Sequence, residues 1–148
     1  MRFHLIDRID DWDSGRRIRG VKLTSRSESF WRPGPVEAEM PEALILEALL
    51  QAGTWLVMLT TRRRKRAALL SIGSATFAAP VAPGDVLALE VEIASMTDEA
   101  VLVSGRVTVG DRLVLEAHDV MCSLMDAEAL EDLDATERME QGLWREAA

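Results

Sequence analysis

Two different periods of apolar residues run along this chain. From Pro41 to about Thr60, Leu44, Ile45, Leu46, Leu49, Leu50, Trp55, Leu56, Val57 and Leu59 leave almost no polar face. Pro41 sits in the first turn, where a helix tolerates proline best. The run predicts a helix roughly 30 Å long at about 1.5 Å per residue. A helix apolar on every side is normally wrapped by protein on every side. After residue 66 the period changes to two: Leu87, Leu89, Val91 and Ile93 alternate with Ala88, Glu90 and Glu92. Further strands are predicted over residues 69–81, 101–109 and 113–124, separated by Ala82-Pro83-Gly84-Asp85, Thr97-Asp98-Glu99 and Gly110-Asp111. Residues 16–25 suit a strand with one wet face, and Pro33-Gly34-Pro35 marks residues 28–39 as a rigid loop. His4 to Ile9 reads as a short helix or turn, followed by a turn-rich Asp10 to Gly15.

The pattern predicts an α+β architecture, an antiparallel β-sheet wrapped around a long central helix. One sheet cannot enclose such a helix fully, so a second copy is the expected cover and the protein is expected to be dimeric. The expected division is a single domain over residues 1–127 and an acidic, helix-prone tail over 128–148, its helix ending near Trp144.

Into the apolar helix are set Glu47 and Gln51, four apart and therefore on one face, with Thr54 continuing the stripe. A carboxylate in such a place needs a hydrogen-bonding partner, neutralisation or a cavity with water. Glu47 is therefore the leading candidate for chemistry.

Composition narrows the function classes. At 148 residues and 48% hydrophobic content, the chain is long enough for one real core. A single cysteine, Cys122, allows no internal disulfide, and two isolated histidines, His4 and His118, suggest no metal site. Nothing resembles a signal peptide, and Glu47 and Gln51 interrupt the best candidate for a membrane span, so a soluble cytoplasmic protein without cofactor is expected. Cys122 and His118 lie in the last strand, where a core thiol and a structural imidazole are the ordinary readings.

The net charge of −8 is uneven. Residues 1–66 carry +4 and residues 67–148 carry −12, with the cations gathered in Arg62-Arg63-Arg64-Lys65-Arg66. That cluster is either a solvated helix end complementing the dipole or a docking patch for an acidic partner. Nucleic acid is an unlikely ligand for so acidic a chain without interleaved aromatics.

Several stretches together resemble the hotdog-fold (3R)-hydroxyacyl-acyl-carrier-protein dehydratases of fatty acid synthesis. They are Leu5-Ile6-Asp7-Arg8-Ile9, Met40-Pro41 with Leu44 to Gln51, Pro80 to Asp85 with Leu87 to Glu92, and Glu116 to Leu124. They cover about residues 3–125 in the family's order and spacing. The resemblance implies a double hotdog dimer, or a higher oligomer of dimers. It implies an acyl carrier protein or acyl-CoA thioester as partner, and a helix acid working with a histidine from the other subunit. In that family the histidine removes the proton beside the thioester carbonyl, and the acid helps the 3-hydroxyl leave as water. Glu47 matches the acid and Gln51 the positioning amide. The helix N-terminus, at Glu42 and Ala43, would polarise the thioester carbonyl through a backbone N–H.

The departure lies in the loop. The family's histidine precedes Met-Pro in a His-Phe-Pro-Gly segment, but here Trp31, Arg32 or Pro33 stands in its place. None of these residue types offers a base near neutral pH. The glycine expected after Met-Pro is Glu42, which sets a carboxylate beside the place where an oxyanion would form. His118 is the remaining candidate base. Three readings follow: an acyl-thioester-binding homologue with impaired or lost dehydration, an active dehydratase with a relocated base or a His-bearing partner subunit, and a hotdog thioesterase using Glu47 alone.

Overall fold

The computed structural model describes residues 4–129 and 133–144. Strands β1 (Arg8–Asp13) and β2 (Arg17–Leu23) precede the helix α1 (Glu42–Thr60). Strands β3 (Lys65–Phe77), β4 (Val86–Met96), β5 (Ala100–Val109) and β6 (Arg112–Asp126) follow, then a 3₁₀ turn (Ala127–Ala129) and helix α2 (Leu133–Leu143). The six strands form one antiparallel sheet in the order β1-β2-β4-β5-β6-β3. The sheet curls around α1, as the change of apolar period predicts.

The period-two residues explain the curl. Leu87, Leu89, Val91, Val101, Val103, Val107, Leu115 and Val120 are all buried in the core that also takes up Ile45, Leu49, Leu56 and Val57 of α1. Short turns hold the meander together, with Gly84 (φ +97°) and Gly110 (φ +58°) supplying the left-handed conformations. By length and composition alone α1 (19 residues) is long and apolar enough to cross a membrane. Its packing answers the question, since it is the core helix of the sheet.

Enclosure is incomplete toward the N-terminal end of α1. Ile45, Ala48 and Leu49 are buried, whereas Leu44, Leu46 and Leu50 are only half-buried. β3, the terminal strand of the sheet, is uncovered along much of its length, with Leu69 at 49% and Leu70 at 63% exposure.

Three expectations are corrected. His4 to Ile9 forms neither helix nor turn: residues 4–7 are irregular and Arg8 to Asp13 form β1. The acidic run inside it suggested a turn, but its carboxylates are ion-pair partners. Arg8 pairs with Asp10, and Arg17 of β2 reaches both Asp11 and Asp13 at 3.0 Å. Ile9 meanwhile faces the core at 2% exposure, and only residues 14–16 turn the chain. Third, β3 begins four residues before the expected start and ends four before the expected end, because the long β6 pairs with it from Asp126 opposite Lys65 to Leu115 opposite Phe77. The tail forms α2 over the described part; residues 130–132 and 145–148 of the expected tail lie outside the described residues.

Gly105 is required by close approach. A Cβ on Gly105 would stand 2.6 Å from the Glu90 carbonyl oxygen and 3.1 Å from Leu49 Cδ1. Gly105→Ala is therefore expected to lower stability by about 1–3 kcal/mol, the usual cost of overpacking. Denaturant midpoints of the two proteins measure it; an unchanged midpoint means that β5 shifts away from α1 without strain.

Candidate functional site

Glu47 and Gln51 project from α1 into a cavity of roughly 220 Å³ between the helix and strands β3 to β6. Its walls are mostly apolar, with Val57, Val91, Val101, Val103 and Val120 among them, and Thr54, Ser104 and Cys122 add polar atoms. A half-buried carboxylate in such surroundings is held by specific partners. Gln51 Nε2 donates to Glu47 Oε1 at 3.0 Å, while Gln51 Oε1 accepts the backbone N–H of Leu5 at 2.7 Å. A flipped amide would lose both bonds, so it presents its NH₂ to the acid. Thr54 also lines the cavity, though its hydroxyl donates to its own helix at Leu50 O (3.1 Å).

Leu5 and Cys122 have roles that residue type does not announce. Leu5 acts through its backbone N–H, which any residue except proline would carry. Cys122 is half-buried on the cavity wall, and burial pushes its thiol above the ordinary range. At neutral pH it is expected to alkylate slowly, faster as pH rises past the usual thiol value, and more slowly still with an acyl ligand in the cavity. Mass spectrometry of iodoacetamide-treated protein checks this; fast labelling indifferent to ligand would place the thiol outside the occupied space.

The loop residues stand apart from this cavity within one chain. Arg32 and Glu39 exchange both backbone hydrogen bonds (2.9 and 2.8 Å), closing the loop on itself. Trp31 is half-buried, donates Nε1–H to Ser25 O at 2.8 Å and lies against Phe30 with ring centroids 4.9 Å apart. Arg32 and Pro33 are exposed, and none of Trp31, Arg32 and Pro33 lines the cavity. Glu42 and Ala43 are exposed in the first turn of α1, and Ala43 precedes Glu47 by one turn on the same face.

His118 is not brought to Glu47 either. It lies in a different depression with Glu90, Glu92 and Arg106, exposed, its Nε2 3.8 Å from Glu116 Oε2. A bulge in β6 at Asp119 (φ +53°) accompanies this placement, with Asp119 N–H directed to Ser104 Oγ at 3.4 Å. Among the described residues, no three His, Cys, Asp or Glu side chains gather as a metal site.

The basic cluster spans a turn and the start of β3 rather than a free helix end. Arg63 is engaged by Glu140 (2.6 Å) and Glu137 (3.5 Å), and Lys65 by Asp126 (2.8 Å). Arg66 is buried and donates Nη1–H to the carbonyls of Arg63 and Lys65 at 3.1 and 2.9 Å. Arg62 and Arg64 remain exposed.

A curled antiparallel sheet thus surrounds a long central helix that carries a carboxylate–amide pair. A family model, the FabA-like domain, matches residues 1–118. A 3-hydroxyacyl-[acyl-carrier-protein] dehydratase FabZ from Syntrophotalea carbinolica is 36% identical over 118 residues, covering 78% of this chain and 80% of that protein. The protein of the same name from Anaeromyxobacter dehalogenans is 34% identical over 131 residues, covering 85% and 83%. Among solved structures, a hypothetical thioesterase protein with coenzyme A from Streptococcus pneumoniae aligns with a TM-score of 0.61. It is 15% identical and covers 80% of this chain and 84% of that one, a likeness of fold. The chain belongs to the FabA-like family and has the hotdog fold.

Proposed function

We propose that this protein binds acyl thioesters of fatty acid or related acyl-chain biosynthesis in the cavity beneath α1, and that it dehydrates 3-hydroxyacyl groups weakly or not at all. The observation that carries this reading is the Glu47–Gln51 pair on an apolar cavity wall, combined with the absence of histidine from residues 5–117. The names of the relatives support the substrate class. Apolar walls suit an acyl chain, and in this reading the carboxyl group of Glu47 protonates the leaving 3-hydroxyl. What the chain lacks is the general base, a contribution typically of about 10²–10⁴-fold.

Two copies complete the site in this reading. β3 offers its unpaired edge, and the half-buried Leu46 and Leu50 need cover. The partner's loop residues 30–36 then close the cavity mouth beside Glu47. Acidic carrier proteins dock at the end of α1 through Arg62 and Arg64, with the acidic remainder of the surface orienting them. That docking weakens steeply with salt, since exposed charges are screened over about 8 Å at physiological ionic strength.

Calorimetric titration with a non-hydrolysable 3-hydroxyacyl thioether tests the binding. Saturable binding is expected, retained in Glu47→Gln and lost in Val103→Trp, which fills the cavity. Absence of saturable binding, or binding indifferent to Val103→Trp, would contradict the proposal.

A further inference from the structure

The basic turn after α1 is covered by an acidic helix of the same chain. Glu137 and Glu140 lie three apart on one face of α2, and both reach the guanidinium of Arg63, at 3.5 and 2.6 Å. The other side of α2 faces the body of the protein: Thr136 is 4% exposed, Met139 and Leu143 pack against the core, and Trp144, just after the helix, forms a parallel bridge with Ile9. Residues 126–148 contain eight acids and two bases, and they lie beyond the residues that the family model matches. The turn they cover is held in an unusual backbone. Arg62 and Arg63 both have left-handed conformations (φ 52° and 64°), fixed by N–H donation from Arg62 to Leu59 O and from Arg63 to Met58 O. A depression between turn and tail is lined by Arg62, Arg63, Arg64, Glu128, Asp134 and Glu137.

We propose that α2 is an intramolecular competitor for the basic turn: Glu137 and Glu140 hold the central cation that an acidic protein partner needs, and docking displaces them. The inference rests on the carrier-docking reading given above. Displacement is feasible because solvent and salt reach the pairs, the side chains of Arg63, Glu137 and Glu140 being 34%, 49% and 16% accessible. Only the fraction of molecules with the turn uncovered can bind, so a tail seated about nine-tenths of the time weakens the apparent affinity roughly tenfold. The device would make a weak but selective surface, closed to stray anions and opened by a partner with several matched carboxylates.

The test titrates purified holo-acyl carrier protein onto the full chain, onto Glu137→Gln/Glu140→Gln and onto Arg62→Glu/Arg64→Glu at low ionic strength. The glutamine variant is expected to bind about five- to tenfold more tightly, a typical coupling between linked sites, and the reversed-charge variant to lose binding. In the unmodified chain, hydrogen exchange of α2 amides is expected to accelerate when the carrier binds, a readout that does not depend on how either variant folds. If Arg62→Glu/Arg64→Glu loses binding while the glutamine variant binds like the parent, or α2 keeps its protection on binding, the competitor role is overturned and carrier docking stands. If neither variant changes binding, the docking reading itself falls, and the competitor role with it.

Discussion

Placing a histidine at position 32 or 33 is expected to raise dehydration of a 3-hydroxyacyl thioester by about 10²–10⁴-fold, the usual worth of a positioned general base. The substitutions are structurally mild. Arg32 binds Glu39 only through its backbone N–H and carbonyl, which Arg32→His keeps, and Pro33 is exposed with no N–H to lose. The acid half of the site stays intact, because Gln51 still ties Glu47 to the N–H of Leu5. Adding Glu42→Gly should increase the gain by removing a carboxylate from the first turn, where the proposed reading has negative charge develop on a thioester carbonyl. Glu47→Gln in the histidine background should return the rate to the parental level. Enoyl formation by the folded variants checks this. Histidine variants no faster than the parent would mean that the loop does not reach a partner's cavity.

Leu70→Lys is the second large effect. β3 is the terminal strand of the sheet, and a long exposed apolar edge invites pairing with another chain. In a two-fold dimer each substitution acts twice. Losing the burial of a leucine at about 1.5–3 kcal/mol in each copy weakens association by about 10²–10⁴-fold. Light scattering should find the parent dimeric and the variant monomeric, with ligand binding lost because the loop of the partner no longer closes the cavity. A variant that stays dimeric and binds ligand would place the interface on another face.

Why some parts of this fold were readable and others were not follows from where the information sits. α1 was legible because its apolar circumference is a local pattern, and Glu47 and Gln51 because a polar pair in such a helix needs a reason. β4 to β6 were legible from alternation and from turns such as Pro83-Gly84-Asp85. β1 was not, since Asp11 and Asp13 look like turn residues until Arg17 of the neighbouring strand is set beside them. The carboxylates are paired by the register of the sheet, which single-chain periodicity does not encode. The Leu5 contact was invisible for a different reason: a backbone N–H leaves no mark in residue type. Tertiary placement also decides the fate of the basic cluster. Five adjacent cations look alike in the sequence, yet Arg66 is buried, Arg63 faces two carboxylates of α2, and Arg62 and Arg64 stay in solvent. That residues 5–117 contain no histidine was readable directly, and the resemblance of the flanking stretches to the family is what gave it meaning.

A single-turnover assay tests most directly whether the proposed acyl-thioester site keeps its acid and lacks its base, with the purified protein in excess over a 3-hydroxyacyl thioester and both enoyl formation and free thiol followed in one sample. Bound substrate with little enoyl product and no thiol release above the uncatalysed background is expected. Rapid enoyl formation by the unmodified chain would contradict it, and loss of that rate in His118→Ala would assign the base to His118. Rapid thiol release abolished by Glu47→Gln would contradict it in the other direction, making the protein a single-carboxylate thioesterase.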